Sequence, residues 1–383
     1  MGRAIVSPDG QSATFVELFF DLVFVFGLTQ IVGLLHHDLS WTGAGQATLV
    51  FWMVWWAWTQ FTWALNAADT THPFVELATL LATAIAFFMA VAVPGAFGAS
   101  SLWFAGTYVL VRVVGLTLYA IVGLSRPGLH SAVRTFSLLS VGGLVCALLG
   151  GYLGGEARPL LWGMTIVLDV VAALGGTEAD GWDLHAEHFA ERHGLIVIIA
   201  LGESLIVAAG ALVGSDFGAE SLGVAVLAVL ISCGLWWTYF PIAKPEMEEA
   251  VAGQTGLKRT RMARDAYTLG HFPMLCGVVA YAVALEEALA HPTTALPDSA
   301  RLSVGLGLML FLGGTAFSMW RTTCGSPLRR ILIAGVTATA AYVVADVQPI
   351  VTLGIAASGV VLIAFLDELK AQRSTQPSSP SPG

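Results

Sequence analysis

The sequence predicts an all-α protein, a polytopic transmembrane helical bundle of about twelve spans, and three observations predict it. Of 383 residues, 56% are hydrophobic and only 11% charged, against about a quarter charged in soluble domains, and the mean hydropathy is +0.77. The apolar residues come in runs of membrane-crossing length, not in alternation or narrow stripes. The basic residues, finally, fall almost entirely on one side of the spans those runs define.

Spans are expected near 14–35, 46–65, 75–93, 102–124, 133–153, 159–174, 190–213, 221–243, 266–289, 302–320, 329–346 and 348–366. Asp169 interrupts the sixth, and Gly and Ser dilute the twelfth. Loops are short apart from 175–189 and 244–265. With the N-terminus inside, fourteen of the 17 Lys and Arg residues lie in inner loops or tails, against only Arg158 and Arg301 outside, while Arg112 sits within a span. By the positive-inside rule this places both termini in the cytoplasm and the chain in the plasma membrane. The first apolar run carries two acids and follows a single Arg, so no cleavable signal peptide is expected. The last stretch, AQRSTQPSSPSPG, has the composition of a disordered tail.

An offset of 174 residues aligns Phe15-Val16-Glu17 with Phe189-Ala190-Glu191, and VWWAWTQF (54–61) resembles LWWTYF (235–240). Arg134 and Arg330 open the fifth span of each half, and Pro159 and Pro349 sit at the start of the sixth. These matches predict a parallel six-plus-six internal duplication: residues 1–174 as an N-terminal six-helix repeat, 175–189 as a cytoplasmic linker, 190–366 as a C-terminal six-helix repeat and 367–383 as a disordered cytoplasmic tail.

Glu17 and Asp21 lie in the first span, TFVELFFDLVFVFGLTQIVGLL. Four residues apart, they share one helical face about 6 Å apart along the axis. An ionisable group at bilayer depth costs about 3 kcal/mol unless it faces the protein interior or a wet cavity, so two on one face point to a polar site between helices. In the seventh span Glu203, flanked by Gly202 and Ser204, falls about 20 Å in, near the midplane. It is expected to face the first span across the repeat axis. Glu17, Asp21 and Glu203 are thus candidate proton carriers or acids. The blander reading makes them pins or interhelical hydrogen-bond partners.

Residues 185–194, HAEHFAERHG, offer His185, His188, Glu191 and His193, three of them at i, i+3, i+6 on one face. Their expected place is the cytoplasmic mouth of the span, where solvated polar residues are ordinary, so they read as capping or gating groups and no metal or cofactor is expected. Seven aromatic residues from Phe51 to Trp63 crowd the second span. Trp52, Trp55, Trp56 and Trp63 fit one broad face able to line a cavity or hold a cation, although packing or lipid contact is the more ordinary explanation. Asn66, Asp69 and His72 follow in the next inner loop. The candidate substrate-binding residues are therefore Trp55, Trp56, Ser204, His188, Glu191, Arg192 and His193. Cys146, Cys233, Cys276 and Cys324 form no CxxC pair and read as packing residues.

Phe15-Val16-Glu17-Leu18-Phe19-Phe20-Asp21, His188-Phe189-Ala190-Glu191-Arg192-His193-Gly194 and Gly202-Glu203-Ser204 together resemble the bacterial low-temperature-requirement A family, over residues 10 to 370. The resemblance implies a multi-pass fold and directs attention to Glu17, Asp21, His188, Glu191, Arg192 and Glu203. It supplies no substrate.

The sequence supports a proton-linked secondary transporter or permease of unknown solute. A membrane-embedded enzyme on a lipidic substrate, an acid-initiated isomerase or terpene cyclase, is the alternative, and a non-catalytic membrane-adaptation factor the third reading. GxxxxGK[ST] and DDxxD are both absent, which removes ATP-driven transport and ionisation of a prenyl diphosphate. The partners expected are the lipid bilayer and a small-molecule or lipidic substrate. The net charge of −9 gives no reason to expect nucleic acid.

Overall fold

A computed structural model describes residues 5–8, 10–178, 184–213 and 218–375. The described residues form twelve helical rods: α1 Phe15–His37, α2 Trp41–Ala67, α3 Pro73–Ala92, α4 Ser101–Ser125, α5 His130–Leu153, α6 Ala157–Glu178, α7 Ala186–Val213, α8 Ala219–Ala252, α9 Gly256–Ala290, α10 Asp298–Thr323, α11 Leu328–Val343 and α12 Pro349–Thr375. The strand content of the described residues is a single isolated bridge, Val6 to Ala68. Each rod matches one expected span. Ten are long and apolar enough to cross a membrane. The exceptions are α11, which has 16 residues, and α2, whose Thr, Gln, Asn and Trp lower its hydropathy.

Two boundaries differ from expectation. The long loop expected at 244–265 is mostly helix, because α8 continues to Ala252 and α9 begins at Gly256. Both rods widen to π-helical turns on the way, at Tyr239–Ala243 and Arg264–Leu269. Pro241 lies inside the first and Pro273 four residues past the second. A proline removes an N–H from the helical ladder, and a widened turn absorbs the mismatch without ending the rod. At the C-terminus, α12 runs to Thr375. Of the expected tail, 376–383 lies outside the described residues, as does 179–183 of the expected linker.

The chain forms two compact units, Met1–Glu203 with Glu248–Phe272, and Ser204–Met247 with Pro273–Gly383. In the first, α1 packs on α2 and α3, α3 on α4, α4 on α5 and α5 on α6. The centre is α2, which also meets α4 and α6 and is buried continuously from Val50 to Ala67. This placement explains its composition. A helix segment shielded on every side needs no apolar exterior, so Trp52, Trp55, Trp56, Trp58 and Trp63 are interior groups, and only Trp41 at the start of the helix is exposed. In the second unit, α8 packs on α12, and α10, α11 and α12 pack together. There α9 crosses α10 at Gly277 and Gly307, where a Cβ on either would meet the other's backbone within 3.0 Å, so only hydrogen fits.

Candidate buried charge cluster

The N-terminus of α1 explains how its first acid is positioned. Thr14 precedes the helix and Glu17 sits three residues on, the Thr-x-x-Glu pattern of a capping box. Glu17 Oε2 accepts from the Thr14 backbone N–H at 2.9 Å and its hydroxyl at 3.0 Å. This fixes the carboxylate and turns Oε1 toward α7, where it accepts from Arg192 Nη1 at 2.5 Å and meets His188 Nε2 at 3.0 Å. One turn along, Asp21 Oδ1 accepts from Arg192 Nη2 at 2.5 Å and from Trp58 Nε1 at 2.7 Å. The Arg192 guanidinium also lies over the Trp58 ring, 5.7 Å from its centroid. Glu17, Asp21 and Arg192 are each 0% exposed.

The hydrogen bonds around His188 set its tautomer. Asn66 Oδ1 accepts from the His185 N–H at 3.0 Å, and Asn66 Nδ2 donates to the His185 carbonyl at 2.9 Å. The amide is thereby oriented, and its second N–H points to His188 Nδ1 at 3.1 Å. Nδ1 must accept, so the ring proton is on Nε2 and is donated to Glu17. His188 is then neutral, and the cluster holds two carboxylates and one guanidinium. Every lone pair of Glu17 has a donor, whereas Asp21 Oδ2 and Arg192 Nε are buried without partners. Asp21 Oδ2 is the atom at which a proton can be added without displacing a donor.

The contacts between α1 and α7 have a nearly constant offset: Glu17 to His188 and Arg192, Asp21 to Arg192, and Thr29 to Glu203. The two helices therefore run parallel. Glu203 lies beside Thr29 of α1 and not beside the acid pair. The Thr29 hydroxyl itself donates to the Val25 carbonyl at 3.3 Å, and Glu203 Oε1 is buried without a partner.

The other candidates are spread out. His188, Arg192 and His193 are at most 1% exposed, so they are interior groups and not residues of a solvated mouth. His193 Nδ1 bonds the Phe189 carbonyl at 2.9 Å, and its ring lies among Trp58, Phe189, Tyr267 and His271. Glu191 points away from the cluster and holds the Ala13 N–H at 2.9 Å, pinning the segment before α1. Ser204 meets Ser232 at 2.9 Å in the second unit. Trp55 stacks on Trp58 and donates to the Thr268 carbonyl at 3.0 Å. Trp56, on the opposite face of α2 from Trp58, lines a cavity with Thr59, Gln60, Trp63, Tyr119 and Arg264. Its volume of about 30 Å³ suits one or two waters, and Trp56 Nε1 is buried there without a partner. Among the described residues no three His, Cys, Asp or Glu side chains are placed to hold a metal ion.

A second buried cluster was signalled only by two isolated charges. Arg112 on α4 reaches Asp169 Oδ1 on α6 at 3.0 Å, Tyr108 at 2.6 Å and Ser140 at 3.3 Å, and its Nε donates to Gln60 Oε1. Tyr108 donates in turn to Asp169 Oδ2 at 3.3 Å. Asp169, read from the sequence as an interruption of the sixth span, is the partner of the one arginine placed inside a span.

The family model for the bacterial low temperature requirement A protein (LtrA) matches residues 12–365. The uncharacterized protein RA0937 of Rhizobium meliloti (strain 1021) is 32% identical over 329 residues, covering 82% of this chain and 78% of that protein. No solved structure matches the chain.

Proposed function

We propose that this chain, which belongs to the bacterial low temperature requirement A (LtrA) protein family, is a proton-linked secondary transporter of the plasma membrane with both termini cytoplasmic, and that the Glu17–Asp21–Arg192 cluster takes up the proton. The observation that carries this reading is the odd charge of the cluster. Two carboxylates against one guanidinium and a neutral imidazole leave one negative charge uncompensated among groups with no exposure. A buried charge without a partner costs several kcal/mol, and one proton removes it. Binding and release of that proton switches the cluster between two charge states, and Arg192 answers each by sharing or concentrating its hydrogen bonds.

Two further features support transport over acid catalysis. Glu17 accepts four hydrogen bonds, which suits a fixed anion and not a donor of protons to an alkene. Three rods also pass from one compact unit to the other, α7, α8 and α9, and two of them carry a widened turn shortly before the passage. Departures from α geometry of this kind are where helices bend.

The test is reconstitution in liposomes with a trapped pH-sensitive dye and an imposed proton gradient. A pooled small-molecule extract of cells should accelerate the pH change in vesicles holding the wild-type protein, and Asp21→Asn should abolish the acceleration. A new lipid product in the membranes with no proton flux would overturn the transport reading in favour of an enzyme.

A further inference from the structure

The second unit holds a basic cavity that the charge cluster of the first does not involve. Where α8, α10, α11 and α12 meet at the arginine-bearing start of α11, a cavity of about 330 Å³ opens, lined among others by Thr323, Ser326, Arg329, Arg330, Asp367 and Lys370. Two guanidiniums share Asp367: Arg329 Nη2 reaches its Oδ1 at 2.5 Å and Arg330 Nη2 its Oδ2 at 2.6 Å. Arg330 is 6% exposed. Its Nη2 also donates to the Thr238 carbonyl at 3.3 Å, while its Nη1 is buried with no partner. That unpaired N–H lies in the wall of the cavity and leaves the desolvation cost of the guanidinium partly unmet. The lining also includes Glu246, so three cations face two anions and one positive charge is in excess.

The surroundings say which anion fits. Leu328, Leu332 and Val336 on α11 and Phe365 on α12 are all exposed apolar side chains, and Trp320 on α10 is exposed beside them. A basic cavity that opens beside a lipid-facing apolar surface and an interfacial tryptophan lies at headgroup depth. We infer that this cavity binds the phosphate of an anionic phospholipid headgroup, with Arg329, Arg330 and Lys370 as its cations, Ser326 and Thr323 as hydroxyl donors, and the acyl chains along the exposed face of α11.

The experiment measures lipid binding to the full-length protein in neutral detergent by native mass spectrometry, with dioleoyl phosphatidylglycerol, dioleoyl phosphatidylcholine and inorganic phosphate as separate probes. Phosphatidylglycerol should bind with a resolved stoichiometry and survive competition by phosphatidylcholine. Arg329→Gln and Lys370→Gln, both at exposed positions, should each weaken it about fivefold, the effect of about 1 kcal/mol per basic residue near a headgroup. Arg330→Gln should weaken it more. Asp367→Asn, which frees two guanidiniums, should tighten it, an effect no purely structural ion pair would give. Equal binding of phosphatidylglycerol and phosphatidylcholine, or binding of inorganic phosphate with no response to either lipid, would overturn the assignment. So would wild-type lipid binding in the Arg329 and Lys370 variants.

Discussion

The two buried charge clusters of the first unit are built from the same groups and balance differently. Arg112 and Asp169 are matched one to one, and Tyr108, Gln60 and Ser140 take three more of the guanidinium donors. Arg192 faces two acids, with a neutral histidine beside them and one carboxylate oxygen left bare. A matched cluster has nothing to gain from a proton and acts as a strut between α4 and α6. An odd cluster is neutral only with a proton on board. Burial is the same in both, so charge parity, not depth, separates a structural pair from a proton site.

The largest effects test parity by breaking it. Asp169→Asn strands Arg112 without an anion and should cost about 3–5 kcal/mol, as breaking one side of a buried pair does. Thermal unfolding of the detergent-solubilised protein measures it. The double substitution Glu17→Gln with Asp21→Asn strands Arg192 in the same way and should cost a similar amount. Either acid alone is different, because its loss removes the surplus charge and leaves a matched pair. Glu17→Gln also keeps a side chain that can complete the capping box. Each single variant should therefore unfold within about 1 kcal/mol of wild type, and the double should cost far more than the sum of the singles. Additive behaviour would mean that the two acids are independent pins.

How far the sequence foretold this contrast depended on the kind of signal. Twelve rods, their order and the pair of acids on one face of α1 were legible because hydropathy and helical spacing are local properties. The Thr14-Phe15-Val16-Glu17 capping box was equally local, and it marks the position that orients Glu17. Arg192 was assigned to a solvated mouth because a residue near the start of an apolar run ordinarily reaches water. Its burial comes from the parallel packing of α1 against α7, a non-local fact. The repeat offset that aligned Glu17 with Glu191 held the clue, since parallel neighbours with that offset bring His188 and Arg192 beside Glu17 and Asp21. Asp169 and Arg112, lone opposite charges inside two spans of one half, could have been paired on charge alone, because neither is tolerable there without the other. The tryptophans of α2 misled in the other direction, since aromatic residues mark lipid interfaces as readily as interiors.

Smaller effects sharpen the comparison. Trp58→Phe removes the N–H donated to Asp21 but leaves Arg192 in place, and should cost about 1.5–3 kcal/mol of stability, the worth of a hydrogen bond to a charged group. It should alter proton exchange, whereas the same measurement on Trp55→Phe, whose N–H goes to a backbone carbonyl, should leave exchange unchanged. Trp56→Phe removes a buried N–H that has no partner and should shift unfolding by less than about 1 kcal/mol.

The central claim is that the odd cluster carries one exchangeable proton on a carboxyl group, and infrared difference spectroscopy of the reconstituted protein across a pH step reads it directly. The wild type should show a protonated-carboxyl band that is lost as the pH rises. Asp21→Asn should lack that band, and so should Glu17→Gln, because either change restores parity. A wild-type spectrum with no pH-dependent carboxyl band, or a band that persists in both variants, would contradict the account.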